Sequence, residues 1–192
     1  MSQPILTRAL EQLIAAIQVR LEKKLNTPAL LLLYSGIDIV GWLHADDPTN
    51  PVRNRFIEWV DTYLLQARPL QCTSLELYAA RCGLVHSFSP DSGLTERGEA
   101  RKIVYAWGTS NFRTLEEMIA VAKMGGYVAV QLETLVEAFA LGVNQFLKEL
   151  DLDPMESARV QKRAQKFFIS LPEQDAQDLL RLAKDLLEPR EA

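Results

Sequence analysis

Arg81 and His86 stand five positions apart in LYAARCGLVHSFSPDS, Leu77 to Ser92, inside a segment that otherwise reads as an apolar helix. An arginine's planar fork matches a phosphate group. A histidine is the side chain best placed to move protons near neutral pH. Together they suit phosphodiester cleavage. The ribose 2′-OH attacks in line, histidine handles its proton, and arginine neutralises charge gathering on the phosphorane. Such a reaction wants both a base and an acid, and one chain offers a single histidine here. A two-fold dimer through this face would bring two Arg81 and two His86 together and supply both roles. The chemistry needs neither a metal nor another cofactor.

Asp38 is the third candidate. It sits in LLLLYSGIDIVGWL, where nothing else is charged. A lone carboxylate on an apolar helix wants a cationic partner. Arg81 or His86 is the expected one, so Asp38 would orient the pair. Each residue also has a plainer reading. Arg81 and Asp38 could form a structural ion pair. His86 could answer the dipole at a helix C-terminus. Asp38 could belong to a solvent-facing stripe with Ser35. The sequence leaves these open.

Arg97, Arg101 and Lys102 follow the motif and are candidate contacts to a nucleic-acid backbone. Arg159, Lys162, Arg163 and Lys166 make a second basic stripe at helical spacing. It could track a backbone too, but such stripes are more often solvated faces, and that reading is favoured. Cys82 and His86, with Cys72 and His44, could supply four metal ligands. That set uses every Cys and His of the chain, from separate segments and with no C-x2-C pair, so no metal site is expected.

These residues need a scaffold. On a helical wheel Leu77, Ala80 and Leu84 fall on one side, and Arg81 and His86 stand about 140° apart. The arc between them holds Tyr78, Cys82 and Val85, with Leu75 close by. A helix apolar all round is buried on both faces. The outer arc is therefore expected to meet another helix or a second copy of the chain.

Capping residues and prolines punctuate the rest. Thr27-Pro28, Asn50-Pro51, Thr73 with Glu76, Thr114 with Glu117, and Asp153-Pro154 with Glu156 mark helix starts. The expected helices run over about 4–25, 28–45, 51–66, 73–87, 114–148, 154–169 and 172–187. The fifth is expected to break or bend near Gly125-Gly126 and at Gly142. KIVYAW, Lys102 to Trp107, reads as a short strand or extended arm. Phe56, Trp59, Leu64, Trp42 and the Phe167-Phe168 pair are core candidates. The expected class is all-α: an antiparallel four-helix bundle with a short extended arm and additional C-terminal helices. Residues 1–150 would form the bundle. Residues 151–192 would form a helical hairpin packed on it or on a dimer partner.

Arg81-Cys82-Gly83-Leu84-Val85-His86 matches the R-x4-H form of the motif that marks HEPN domains. Together with YSGIDIVGWLH before it and the Tyr/Trp-containing segment after it, the chain resembles a family of bacterial HEPN-like proteins over roughly residues 1–148. The resemblance implies a helical bundle that dimerises, with Arg and His of both subunits forming a metal-independent ribonuclease site. It also implies a setting in toxin–antitoxin or phage-defence systems, where an antitoxin or regulatory protein would be a partner. Active HEPN nucleases commonly carry Asn, Asp or His after the arginine, and here the residue is Cys82. That departure favours a second reading, a non-catalytic module that binds a nucleotide, RNA or protein.

The net charge of −4 argues against a protein that holds nucleic acid by bulk charge. Residues 1–110 are balanced, so the acidic excess lies in 111–192. Two cysteines make no disulfide framework, no secretion signal is visible, and no apolar run is long enough to span a bilayer. A cytoplasmic protein is the expectation. No Walker loop, G-x-S-x-G, H-E-x-x-H or Rossmann glycine pattern occurs.

Overall fold

The computed structural model describes residues 4–108, 112–166, 177, 178, 180 and 181. The chain is mostly helical. Helix α1 is Pro4–Glu22 and α2 is Asn26–His44. Helix α3, Val52–Trp59, widens into a π turn over Val60–Leu64 and closes as the short α4, Leu65–Ala67. Helix α5 is Ser74–Ser87 and α6 is Gly93–Glu96. Strand β1, Lys102–Ala106, is followed by α7, Phe112–Val121, and strand β2, Tyr127–Gln131. Helices α8, Leu132–Leu152, and α9, Pro154–Ala164, complete the described elements. Among the described residues no helix is long and apolar enough to cross a membrane.

Helix α2 lies at the centre, with α1, α3, α5, α8 and α9 packed on it. Leu33, Tyr34, Ile37, Val40 and Leu43 are fully buried along it, joined by Trp59, Leu64, Leu77 and Phe139 from the other helices. Glycines allow the closest approaches. A Cβ on Gly142 of α8 would stand 3.2 Å from backbone atoms of Tyr63 and Leu64 in the π turn. Gly142 is therefore a packing residue, and α8 runs through it without interruption.

The helix expected over 114–148 is broken around Gly125-Gly126, and its two parts are separated by a strand that was not expected. Helix α7 ends at Val121, four residues before Gly125-Gly126, with Lys123 at φ 53° just beyond it, and Tyr127–Gln131 is drawn into a strand by the partner that β1 offers. Strand β2 pairs in parallel with β1, Lys102 opposite Tyr127 and Ala106 opposite Gln131. Helix α7 is the crossover that parallel pairing requires. Thr114 lies inside α7 and does not cap it. KIVYAW is thus, up to Ala106, a paired strand rather than a free arm. Tyr105 on it reaches the core, its hydroxyl bonded to that of Tyr34.

Two expected starts also move. Helix α2 begins at Asn26, so Thr27-Pro28 falls in its first turn, where a missing N–H costs nothing. Pro51, not Asn50, precedes the first residue of α3. The Thr73–Glu76 capping box is present, and Asp153 caps α9 through Met155 and Glu156 N–H groups at 3.0 and 3.1 Å. Phe56, Trp59 and Leu64 are core residues, and Trp42 is half-buried. Helix α9 packs on α1, α2 and α8. Phe167-Phe168 and nearly all of the helix expected over 172–187 lie outside the described residues.

Candidate functional site

Helices α2 and α5 meet where Asp38 faces Arg81. Asp38 follows Gly36 and Ile37, both buried, and precedes the exposed Ile39, so it stands at the edge of the core face. Arg81 donates from Nε and Nη2 to the same oxygen of Asp38, Oδ2, at 2.9 and 2.7 Å. The two side chains are 15% and 23% exposed, enough burial for the attraction to act in a reduced dielectric. Burial works against the guanidinium charge, but the bonds Arg81 donates to Asp38 and the carboxylate's charge outweigh it and hold Arg81 above its ordinary value. Ser35 is exposed, and Asp38 turns from it to the cation.

The third nitrogen of Arg81, Nη1, lies 3.4 Å from Nε2 of His86, a long and loose contact. His86 occupies the last turn of α5 and is exposed. Asp38, Arg81 and His86 thus form a row that runs from a half-buried ion pair to an exposed imidazole. Tyr78 stands one turn before Arg81 on the same helix, edge-on to Phe56 with ring centroids 5.5 Å apart. Burial and a hydrogen bond with Cys82 push its hydroxyl above the usual tyrosine value.

The helix that carries the row is covered differently from the expected pattern. Leu77 is fully buried, but Ala80 and Leu84 are only half-buried against the core. Ala79 is fully buried in a small second cluster with Leu94 and Ala100, against which Leu75 and Tyr78 pack. Part of the outer arc is therefore covered by the chain's own 94–100 segment. Tyr78, Cys82 and Val85 keep partial exposure.

Arg97, Arg101 and Lys102 do not form an open cationic patch beside the row. Arg97 pairs with Glu99 at 2.5 Å, and Lys102 pairs with Asp91. Arg101 donates from Nε and Nη2 to Glu76 at 2.5 and 3.1 Å, and to Gln71 O at 3.3 Å. Glu76 is only 5% exposed, so this pair anchors the strand segment to the start of α5. Burial opposes ionisation of Glu76, but bonds from Arg101 and Thr73 prevail and hold its carboxyl below the usual range.

The second basic stripe divides. Arg163, 9% exposed, donates to the carbonyls of Trp42, Leu43, Ala45 and Asp46. Arg159 donates to His44 O at 2.6 Å, to Ala45 O and to Glu156. Both arginines close the C-terminus of α2, where carbonyls have no partner within the helix. Neither belongs to a solvated face. Lys162 and Lys166 are exposed.

Among the described residues no group of three or more His, Cys, Asp or Glu could share a metal ion. His44 packs edge-on against Tyr63 and Phe146. Cys72 is buried, and desolvation pushes its thiol up to about 12.

Two contributors escaped the sequence reading. Glu76 was legible only as a cap, because its partner lies 25 positions away. Gly83, between Arg81 and His86, admits the loop that folds back over α5: a Cβ there would stand 2.5 Å from Asp91 O and closer still to Ser89 O. A glycine inside a helical pattern, followed by SFSPDS, is the signal that could have revealed that approach. Comparison with models of known families, with curated proteins and with solved structures finds no match for this chain.

Proposed function

We propose that the chain is a HEPN-like endoribonuclease that works without a metal, as a homodimer. In this reading α1, α2, α3 with α4, and α5 form the antiparallel four-helix bundle. The two-fold axis runs near α5, and Arg81 and His86 of both subunits face one RNA phosphate. One His86 takes the proton of the ribose 2′-OH as its oxygen attacks phosphorus. The other His86 gives a proton to the departing 5′-oxygen. The Arg81 guanidinia neutralise the charge that builds on the phosphorane. The products carry 2′,3′-cyclic phosphate and 5′-hydroxyl ends. The protein acts as a toxin or phage-defence effector restrained by a partner protein.

The observation that carries the reading is the Asp38–Arg81–His86 row. A carboxylate fixes two nitrogens of the arginine and leaves the third turned toward an exposed imidazole. The test compares wild type with His86→Ala on single-stranded RNA in EDTA, with folding followed by circular dichroism. Loss of about 10²- to 10⁴-fold in rate is expected. Cleavage that survives in folded His86→Ala, or that requires magnesium, overturns the mechanism.

A second reading is a non-catalytic module that binds RNA, a nucleotide or a protein in the same place. The ion pairing of Arg97, Arg101 and Lys102 favours it, because few free cations then remain beside the row. Wild-type protein that binds RNA without cutting it decides for this reading.

A further inference from the structure

The turn that ends α5 holds an aromatic side chain in an unusual place. Phe88, two positions after His86, is the C-cap of the helix, with φ 53° and ψ 29°. This left-handed conformation is normally left to glycine or asparagine, because a Cβ crowds the backbone there. Phe88 is also 69% exposed, so burial of its ring does not compensate for the conformation. A local turn alone would be better served by glycine.

The turn is built to hold that shape. Phe88 N–H donates to Leu84 O at 3.1 Å, and Ser89 N–H and Ser87 Oγ donate to Gly83 O at 3.2 and 2.9 Å. Ser89 Oγ accepts from Asp91 N–H at 3.0 Å. Asp91 is tied to Lys102 on β1, so the loop is pinned to the sheet as well as to the helix. The close approach at Gly83 completes the constraint. The backbone on either side of Phe88 is fixed while the ring itself stands in solvent. Backbone strain that the surroundings hold in place tends to collect at sites of function.

The chemistry carried by the same helix end indicates what the ring meets. Arg81 and His86 suit a phosphodiester, and each phosphodiester of a single strand is flanked by bases whose faces are free. Aromatic side chains hold such bases by stacking, whatever their identity. An acidic chain with few unpaired cations at this place gains affinity from stacking that it lacks in charge. We infer that Phe88 is a stacking platform for a base adjoining the phosphate held by Arg81 and His86, and that the ligand is single-stranded RNA. The inference rests on the proposed nucleic-acid reading of the Arg81–His86 row, but not on catalysis there.

The experiment measures binding and cleavage separately. Binding of fluorescein-labelled oligouridine and of a mixed-sequence single-stranded RNA is followed by anisotropy, in the His86→Ala background so that the probe stays intact. Phe88→Ala and Phe88→Gly should each weaken binding by about 5- to 150-fold, the range for loss of one stacked base. Phe88→Trp should preserve it, with the indole fluorescence quenched by bound RNA. Phe88→Gly should also raise the melting temperature by about 2–4 °C, because glycine relieves the left-handed strain. Weaker binding in a more stable protein separates a ligand role from a structural one. Unchanged affinity in both variants overturns the inference, as does wild-type protein that binds neither RNA. A change in sedimentation mass on losing the ring also overturns it, because Phe88 then belongs to a subunit contact. Phe88-dependent binding by a wild type that never cuts RNA leaves the inference standing while the nuclease reading fails. Cleavage that ignores Phe88 does the reverse.

Discussion

Asp38 and Arg81 meet side-on: two guanidinium nitrogens, Nε and Nη2, converge on Oδ2, at 2.9 and 2.7 Å, and Oδ1 is buried without a hydrogen-bond partner among the described residues. A parallel fork would have used both oxygens. Because Nε and Nη2 make both bonds, Nη1 is left for His86. Asp38→Asn should therefore do two things. It removes the counter-charge of a mostly buried cation, costing about 2–4 kcal/mol by urea unfolding, somewhat below the full cost for a sealed pair. It also frees Arg81 to swing, so RNA cleavage should fall even where the protein is folded. Arg81→Met added to Asp38→Asn should recover part of the stability and none of the activity. Additive losses in that double-mutant cycle would deny the coupling.

Glu76 gives a pH dependence with a definite sign. Its folded carboxyl is held below its unfolded value by Arg101 and Thr73. The stability from this group is complete above the unfolded value of about 4.3 and is lost as pH falls through the lower folded value. Urea midpoints of wild type should drop below about pH 4.5, and Glu76→Gln should flatten that part of the profile while lowering stability at pH 7. Equal slopes in the two proteins would show that the Glu76–Arg101 pair is not the acid-sensitive contact.

Much of the site was legible because its signals are local or chemically stark. A carboxylate alone among apolar residues must find a cation, and Asp38 finds Arg81. Thr73 with Glu76, and Asp153 before Pro154, are caps whose partners lie within a turn. What stayed hidden depends on distant segments. Strand β2 takes its hydrogen bonds from β1, 25 positions earlier, and the alanine and valine of YVAV fit either a helix or a strand until that partner is known. Arg159 and Arg163 look like a solvated stripe in sequence. Only the fold brings the open end of α2 beneath them, more than 110 positions away.

Arg163 tests that reassignment. Its guanidinium donates to four carbonyls at the end of α2, those of Trp42, Leu43, Ala45 and Asp46. Arg163→Ala leaves them without those bonds and should cost about 2–3 kcal/mol. Below its melting temperature the variant should bind and cleave RNA like wild type, because the residue is a clamp on the fold. A variant of normal stability with weakened RNA binding would return the stripe to the nucleic-acid interface.

Gly83→Ala probes the loop over the site. Its new Cβ would meet the backbone carbonyls of Ser89 and Asp91, and backbone has no rotamer by which to give way. The loop must lift or the helix end must unwind, at about 1–3 kcal/mol. Amide hydrogen exchange should quicken over 87–91 and stay slow in α2. Activity should fall with it, since His86 and Phe88 share that helix end. Exchange unchanged at 87–91 would mean that the loop is not held by this approach.

The proposed site shared between two subunits makes the strongest demand. If one RNA phosphate is served by His86 of both subunits, a dimer with one His86→Ala subunit lacks either the acid or the base. Equal amounts of wild-type and His86→Ala chains, co-refolded to randomise the subunits, form one part wild-type dimer, two parts mixed dimer and one part variant dimer. Activity should then fall to about one quarter of that of the same total amount of wild type, because only the symmetric wild-type dimer cuts. Subunits that act alone would retain about one half. The mixed dimer can be isolated directly by giving the two chains different affinity tags. In that form it should bind RNA, because both Arg81 guanidinia remain, and cleave about 10²-fold or more slowly than wild type. A tagged mixed dimer that retains half of wild-type activity would place a complete site within each chain and remove the need for the partner's histidine.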